Sequence, residues 1–89
     1  MMIGTLIEKE DIVNHKILAA EVNRSEELRS KLTDAQRLGN EFKSKASIVF
    51  NTVDGPLRVE TTVWSVTDRY VQIKSGVLIP LAAIIQVEF

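Results

Sequence analysis

Eighty-nine residues make one domain's worth of chain, and 45% hydrophobic with 26% charged residues is a globular rather than a disordered composition. There is no cysteine, which excludes disulfides and thiolate metal ligands. Eleven basic against twelve acidic residues give a net charge of −1, so no bulk positive field exists to drive phosphate binding. The chain reads as a single domain, 1–89, with a helical part over 1–40 and a β part over 42–89.

Thr5 followed by Glu8 fits a capping box, as do Asn23 with Glu26 and Thr33 with Gln36. Leu28, Leu32, Ala35, Leu38 and Phe42 recur at steps of three and four, the spacing of one helix face. Ile17, Leu18 and Val22 form a similar cluster upstream. Glu21 and Ser25 interrupt the stripe between them. Two helical segments are therefore expected, near 6–22 and 24–38, continuous or bent near Asn23. Gly39-Asn40 marks the expected stop, because glycine accepts the left-handed conformation that ends many helices.

After Phe42 the period changes to two. Ala46, Ile48 and Phe50 alternate with Ser47, Val49 and Asn51, and Asp54-Gly55-Pro56 signals a turn. Leu57, Val59, Thr61 and Val63 continue as a second strand, with Trp64 and Val66 on the opposite face. Thr67-Asp68-Arg69 turns the chain. Val71 and Ile73 mark a third strand, Ser75-Gly76 a two-residue turn, and Val77–Ile79 a fourth strand. Leu81-Ala82-Ala83 makes a helical turn after Pro80, and Ile85, Val87 and Phe89 alternate as a fifth strand. The fold class is α+β: helical segments, then a four- to five-stranded antiparallel sheet or small barrel.

Five short strands with a one-turn helix before the last, preceded by a helix, resemble the small SH3-like and Sm-like barrels over residues 42–89. Sm-like proteins carry an acid–amide pair in the turn after their second strand and a base–glycine pair late in the fold. Here the late turn is Ile73-Lys74-Ser75-Gly76, with serine between base and glycine, and no acid–amide pair matches. No RNA-binding residue is carried over. The stretch VETTVWSVTDRYVQIKSGVLIPL is similar to a group of uncharacterised small proteins of Bacteroidetes-type bacteria, a resemblance that implies no function.

Catalytic chemistry has little to stand on. His15 is the single histidine, and its neighbours Asn14 and Lys16 fit an exposed face. A metal site or a triad needs several convergent groups, so no cofactor is expected. Glu8, Glu10 and Asp11 suit a helix start, where negative side chains meet the positive end of the dipole. Thr61, Thr62, Ser65 and Thr67 suit strands, and no nucleophile elbow surrounds them. The glycines Gly4, Gly39, Gly55 and Gly76 stand singly, so no phosphate loop exists.

Trp64 is the most informative residue. The simpler reading buries it beneath the helical stripe, since large aromatics dominate small cores. The sharper reading joins it to Arg58, Arg69, Tyr70 and Lys74 as a binding patch of the residue types enriched at hot spots. The functional expectation is a non-enzymatic binding or assembly module with an unknown protein partner. Two alternatives stand beside it. One is an Sm-like protein that binds RNA or single-stranded nucleic acid, disfavoured because residues 46–89 hold three basic and four acidic residues. The other is a small-molecule enzyme.

A homo-oligomer, with a dimer favoured, is expected because a core this small has no covalent staple. Ile3, Leu6, Ile7, Ile12 and Val13 lie beyond the main stripe, and Lys45–Val53 or Ile84–Phe89 would offer an open strand. The start MMIGTLIEKED has no basic leader, and the apolar run Val77–Ile85 is short and broken by Pro80. No membrane segment is expected, and a cytoplasmic location follows.

Overall fold

The computed structural model describes residues 3–21 and 24–89. The described residues form one α-helix and two β-sheets, an α+β arrangement. The helix, α1 (Ser25–Phe42), follows the expected stripe: Leu28, Leu32 and Ala35 are buried. It also departs from expectation at its end. It runs through Gly39 for another turn and stops at Lys43, which takes the left-handed conformation (φ 56°) and donates its amide to the Gly39 carbonyl at 2.9 Å. Gly39 serves close packing instead. A Cβ there would lie 2.8 Å from Thr62 Cγ2 and 3.0 Å from the Val63 carbonyl oxygen. Phe42, one turn further on, leaves the buried face and is 69% exposed.

The expected helix near 6–22 is absent over 6–21. In its place stand strand β1 (Thr5–Leu6), a 3₁₀ turn (Lys9–Asn14) and an extended run along the sheets. The expected junction near Asn23 lies outside the described residues, as does that residue's cap. Tertiary hydrogen bonds outcompete local ones here. The Ile7 amide donates to Arg58 O, that of Leu18 to Asn51 O, that of Ala20 to Ala82 O, and Lys16 O accepts from Val53 N, all at 2.8–3.0 Å. The segment is rich in β-branched residues (Ile3, Thr5, Ile7, Ile12, Val13, Ile17), which favour extended backbone. Thr5 therefore pairs in a strand rather than capping a helix. Thr33 sits inside α1 and bonds back to the Arg29 carbonyl at 2.9 Å. Of the five apolar residues expected beyond the stripe, Ile12 is buried in the core and Ile7 packs partly against it, while Ile3, Leu6 and Val13 are exposed.

After α1 the chain makes β2 (Ala46–Thr52), β3 (Gly55–Thr61), β4 (Val63–Val66), β5 (Tyr70–Ile73), β6 (Leu78–Pro80) and β7 (Ile84–Glu88). They fall into two sheets, ordered β1-β3-β2-β7 and β4-β5-β6, and do not close into a barrel. Among the described residues only β1 pairs in parallel. Thr62, between β3 and β4, hands the chain from one sheet to the other. The two sheets and α1 enclose one core, in which Ile48, Phe50, Val59, Val63, Val71, Ile73, Ile79, Ile84 and Val87 are fully covered.

This topology revises the expected open strands. Lys45–Val53 contains β2, which lies between β3 and β7 and has no free edge. β7 is an edge, but Arg24, just before α1, and Lys31 within it cover two of its carbonyls: Arg24 Nη1 donates to Ile85 O and Lys31 Nζ to Val87 O, both at 3.0 Å. Cationic side chains over an edge strand oppose pairing with another chain. Among the described residues no helix is long and apolar enough to cross a membrane.

Candidate interaction face

The three-stranded sheet turns Val63, Val71, Ile73 and Ile79 into the core. Period-two alternation then sends the residues between them outward. Tyr70 pairs with Pro80 and Gln72 with Leu78 across β5 and β6. The register between β4 and β5 shifts after Val63, so that Trp64 and Ser65 together oppose Gln72. Such a bulge re-aims the side chains beside it. The outer face thus gathers Trp64, Tyr70 and Leu78, which are 46%, 41% and 50% exposed, around Gln72.

Burial of Trp64 beneath the helical stripe is overturned by this arrangement. Trp64 is 46% exposed, while helix α1 meets this part of the chain through Gly39, which packs against Thr62 and Val63. Of the five residues singled out from sequence, Trp64 and Tyr70 share the outer face, with Arg69 and Lys74 at the two ends of β5. Arg58 does not join them. It lies in the four-stranded sheet, beside Val49 in register, with Nη1 3.4 Å from Glu60 Oε2. Its stem and Gln86 flank Val49, which is fully buried, so Arg58 covers apolar surface there. Sequence reading missed Leu78 and Gln72. The run Val77–Pro80 has no polar residue to mark its outward side, and only the register with β5 shows it.

Charges around the face are unevenly paired. Asp68 accepts from Arg29 of α1 at 2.8 Å, which ties the β4–β5 turn to the helix. Among the described residues, neither Arg69 nor Lys74 has a carboxylate within 4.0 Å. Among those residues, too, no hydrogen bond engages the Trp64 indole, the Tyr70 hydroxyl or the Gln72 amide.

Elsewhere several polar groups already have partners. A groove of about 480 Å³ between α1 and β7 is bordered by Arg24, Glu27, Lys31 and Glu88. Arg24 Nε bonds Glu27 at 2.9 Å and Lys31 Nζ stands 3.5 Å from Glu88. The hydrogen bond from Arg24, and then its charge, hold the Glu27 carboxyl below its ordinary range and raise the arginine. His15 is half-buried, with Nδ1 2.8 Å from Asp54 Oδ2, and fastens the N-terminal segment to the β2–β3 turn. Among the described residues no three acidic or imidazole side chains gather as a metal site would require. Comparison with protein-family models, with curated proteins and with solved structures finds no match to this chain.

Proposed function

We propose that this chain is a non-catalytic protein-binding module whose recognition surface is the outer face of the β4-β5-β6 sheet. The observation that supports it is the grouping of Trp64, Tyr70 and Leu78, all about half exposed, on one face of a sheet. Tryptophan and tyrosine are enriched among residues that dominate binding energy, and both offer a polar atom beside a large apolar surface. The groove between α1 and β7 is lined by side chains already ion-paired, Arg24 with Glu27 and Lys31 with Glu88, and so offers an enzymatic reading less support. A cytoplasmic location, expected from the sequence, is retained as part of this proposal. A homo-oligomer remains compatible with it. With β2 internal and the Ile85 and Val87 carbonyls covered, neither strand expected to be open favours pairing, which leaves exposed apolar surface and the edges β4 and β6 for self-association.

The test pans a random dodecapeptide display library against the protein. A variant carrying Trp64→Ser, Tyr70→Ser and Leu78→Ser serves as counter-target, with circular dichroism confirming its fold. Enriched peptides that bind the protein and not the variant support the proposal. Failure to enrich any peptide, or equal binding to both proteins, overturns it.

A further inference from the structure

We infer that the occupant of this face is a polypeptide segment with an apolar centre and carboxylates toward its two ends, an inference that rests on reading the face as a binding surface. Charge placement carries it. Between Val63 and Pro80 the chain holds three charged residues, Asp68, Arg69 and Lys74. Arg29 engages Asp68, so the acid is neutralised by the protein's own helix. Arg69 and Lys74 remain exposed, one at each end of β5. Five residues of extended chain separate them by roughly 16 Å. A segment laid along β5 would meet Tyr70, Leu78 and Trp64 between two cations.

Two other occupants fit less well. A second copy pairing through this face by a two-fold axis would set Arg69 and Lys74 against the same cations of its mate. Like charges facing each other weaken such an interface. A single-stranded nucleic acid could stack on Trp64 and Tyr70, but two cations neutralise only about two phosphates. The affinity gained from counterion release would then be small, with a salt slope of about −1.4. A peptide needs less charge, and its backbone offers partners for the Trp64 N–H, the Tyr70 hydroxyl and the Gln72 amide.

The experiment sequences the peptides enriched by panning and repeats the selection on a variant carrying Arg69→Glu and Lys74→Glu. Both residues are exposed, and Arg69→Ala with Lys74→Ala is a milder control. Peptides from the wild type should carry Asp or Glu on both sides of apolar residues. They should bind wild type roughly 5- to 10-fold tighter than the charge-reversed variant, the scale of two exposed ion pairs. Selection on that variant should yield Lys and Arg instead. The sole tryptophan, Trp64, reports occupancy directly through its emission. Peptides without charge bias, or with affinities indifferent to the reversal, overturn the inference while the binding face stands. Peptides that bind the three-serine variant as well as wild type overturn the face itself. Oligo(dT) binding tighter than every enriched peptide replaces the peptide by a nucleic acid.

Discussion

Gly39 of α1 and Thr62, between β3 and β4, approach so closely that a Cβ on the glycine would stand 2.8 Å from the Thr62 methyl. The contact sets how near the helix lies to the three-stranded sheet. Alanine in a helix interior is ordinarily favoured over glycine by about 1 kcal/mol. Here the added methyl also meets the Val63 carbonyl at 3.0 Å, and backbone cannot step aside cheaply. We expect Gly39→Ala to lower stability by about 1–3 kcal/mol, the cost of overpacking. Thr62→Ser, which deletes the methyl, should recover part of the loss. Urea denaturation of the two single variants and the double variant measures the coupling. A stabilised Gly39→Ala would mean the helix stands further off.

The same glycine shows what the sequence could convey. The stripe Leu28, Leu32, Ala35 located α1, and glycine chemistry suggested its end. Whether Gly39 terminates a helix or admits a neighbour depends on what lies across from it, and that is tertiary information. The N-terminal segment failed for a related reason. Its amides bond to Arg58, Asn51 and Ala82, distant partners that no local pattern announces. The β part was legible because period-two alternation and turns such as Ser75-Gly76 are local signals. Ser75 and Gly76 do adopt positive φ, 75° and 83°. Half of the candidate face was legible through its aromatics. The bulge that presents Trp64, and the register that brings Leu78 beside Gln72, were not.

Thr61 Oγ1 is buried without a hydrogen-bond partner among the described residues. Its side chain points toward the core from β3, opposite Ala46. Replacing an unsatisfied hydroxyl by a methyl of the same shape removes a desolvation penalty of about 1–3 kcal/mol. Valine also suits a strand. Thr61→Val should therefore raise the urea midpoint with an unchanged m-value. A lower midpoint would show that the hydroxyl has a partner in solution.

Arg24 and Lys31 cover the β7 edge by donating to Ile85 O and Val87 O. Removing both cations, as Arg24→Ala with Lys31→Ala, should free those carbonyls for a strand of another molecule. Light scattering over a concentration series should then show stronger self-association than wild type. Equal masses at every concentration would mean the helix backbone alone guards the edge.

The Arg24–Glu27 pair also predicts an acid response. Glu27 is held below its ordinary range in the folded state, by the Arg24 hydrogen bond and then by its charge. The contribution is therefore complete above the unfolded-state value, about 4.3, and is lost as pH falls through the lower folded-state value. Both groups lie at the surface, so added salt should shrink it. Glu27→Gln should flatten that part of the pH–stability curve, and a curve of unchanged shape would count against the pair.

Trp64 offers the most direct check on the candidate face. A fully buried aromatic truncated to alanine costs about 3–5 kcal/mol. Trp64 keeps 46% of its surface in solvent, so much less burial is lost. We expect Trp64→Ala to cost about 1–1.5 kcal/mol, the burial term scaled to the covered half of the ring. The bulge would persist, because the backbone pairing around Gln72 does not need the indole. Two measurements decide it together. Acrylamide should quench wild-type emission efficiently, since the indole is reachable, and the variant should unfold cooperatively near the wild-type midpoint. A shielded indole with a loss in the buried range would return Trp64 to the core. The outer face would then keep only Tyr70 and Leu78, and the binding proposal would lose its largest contact.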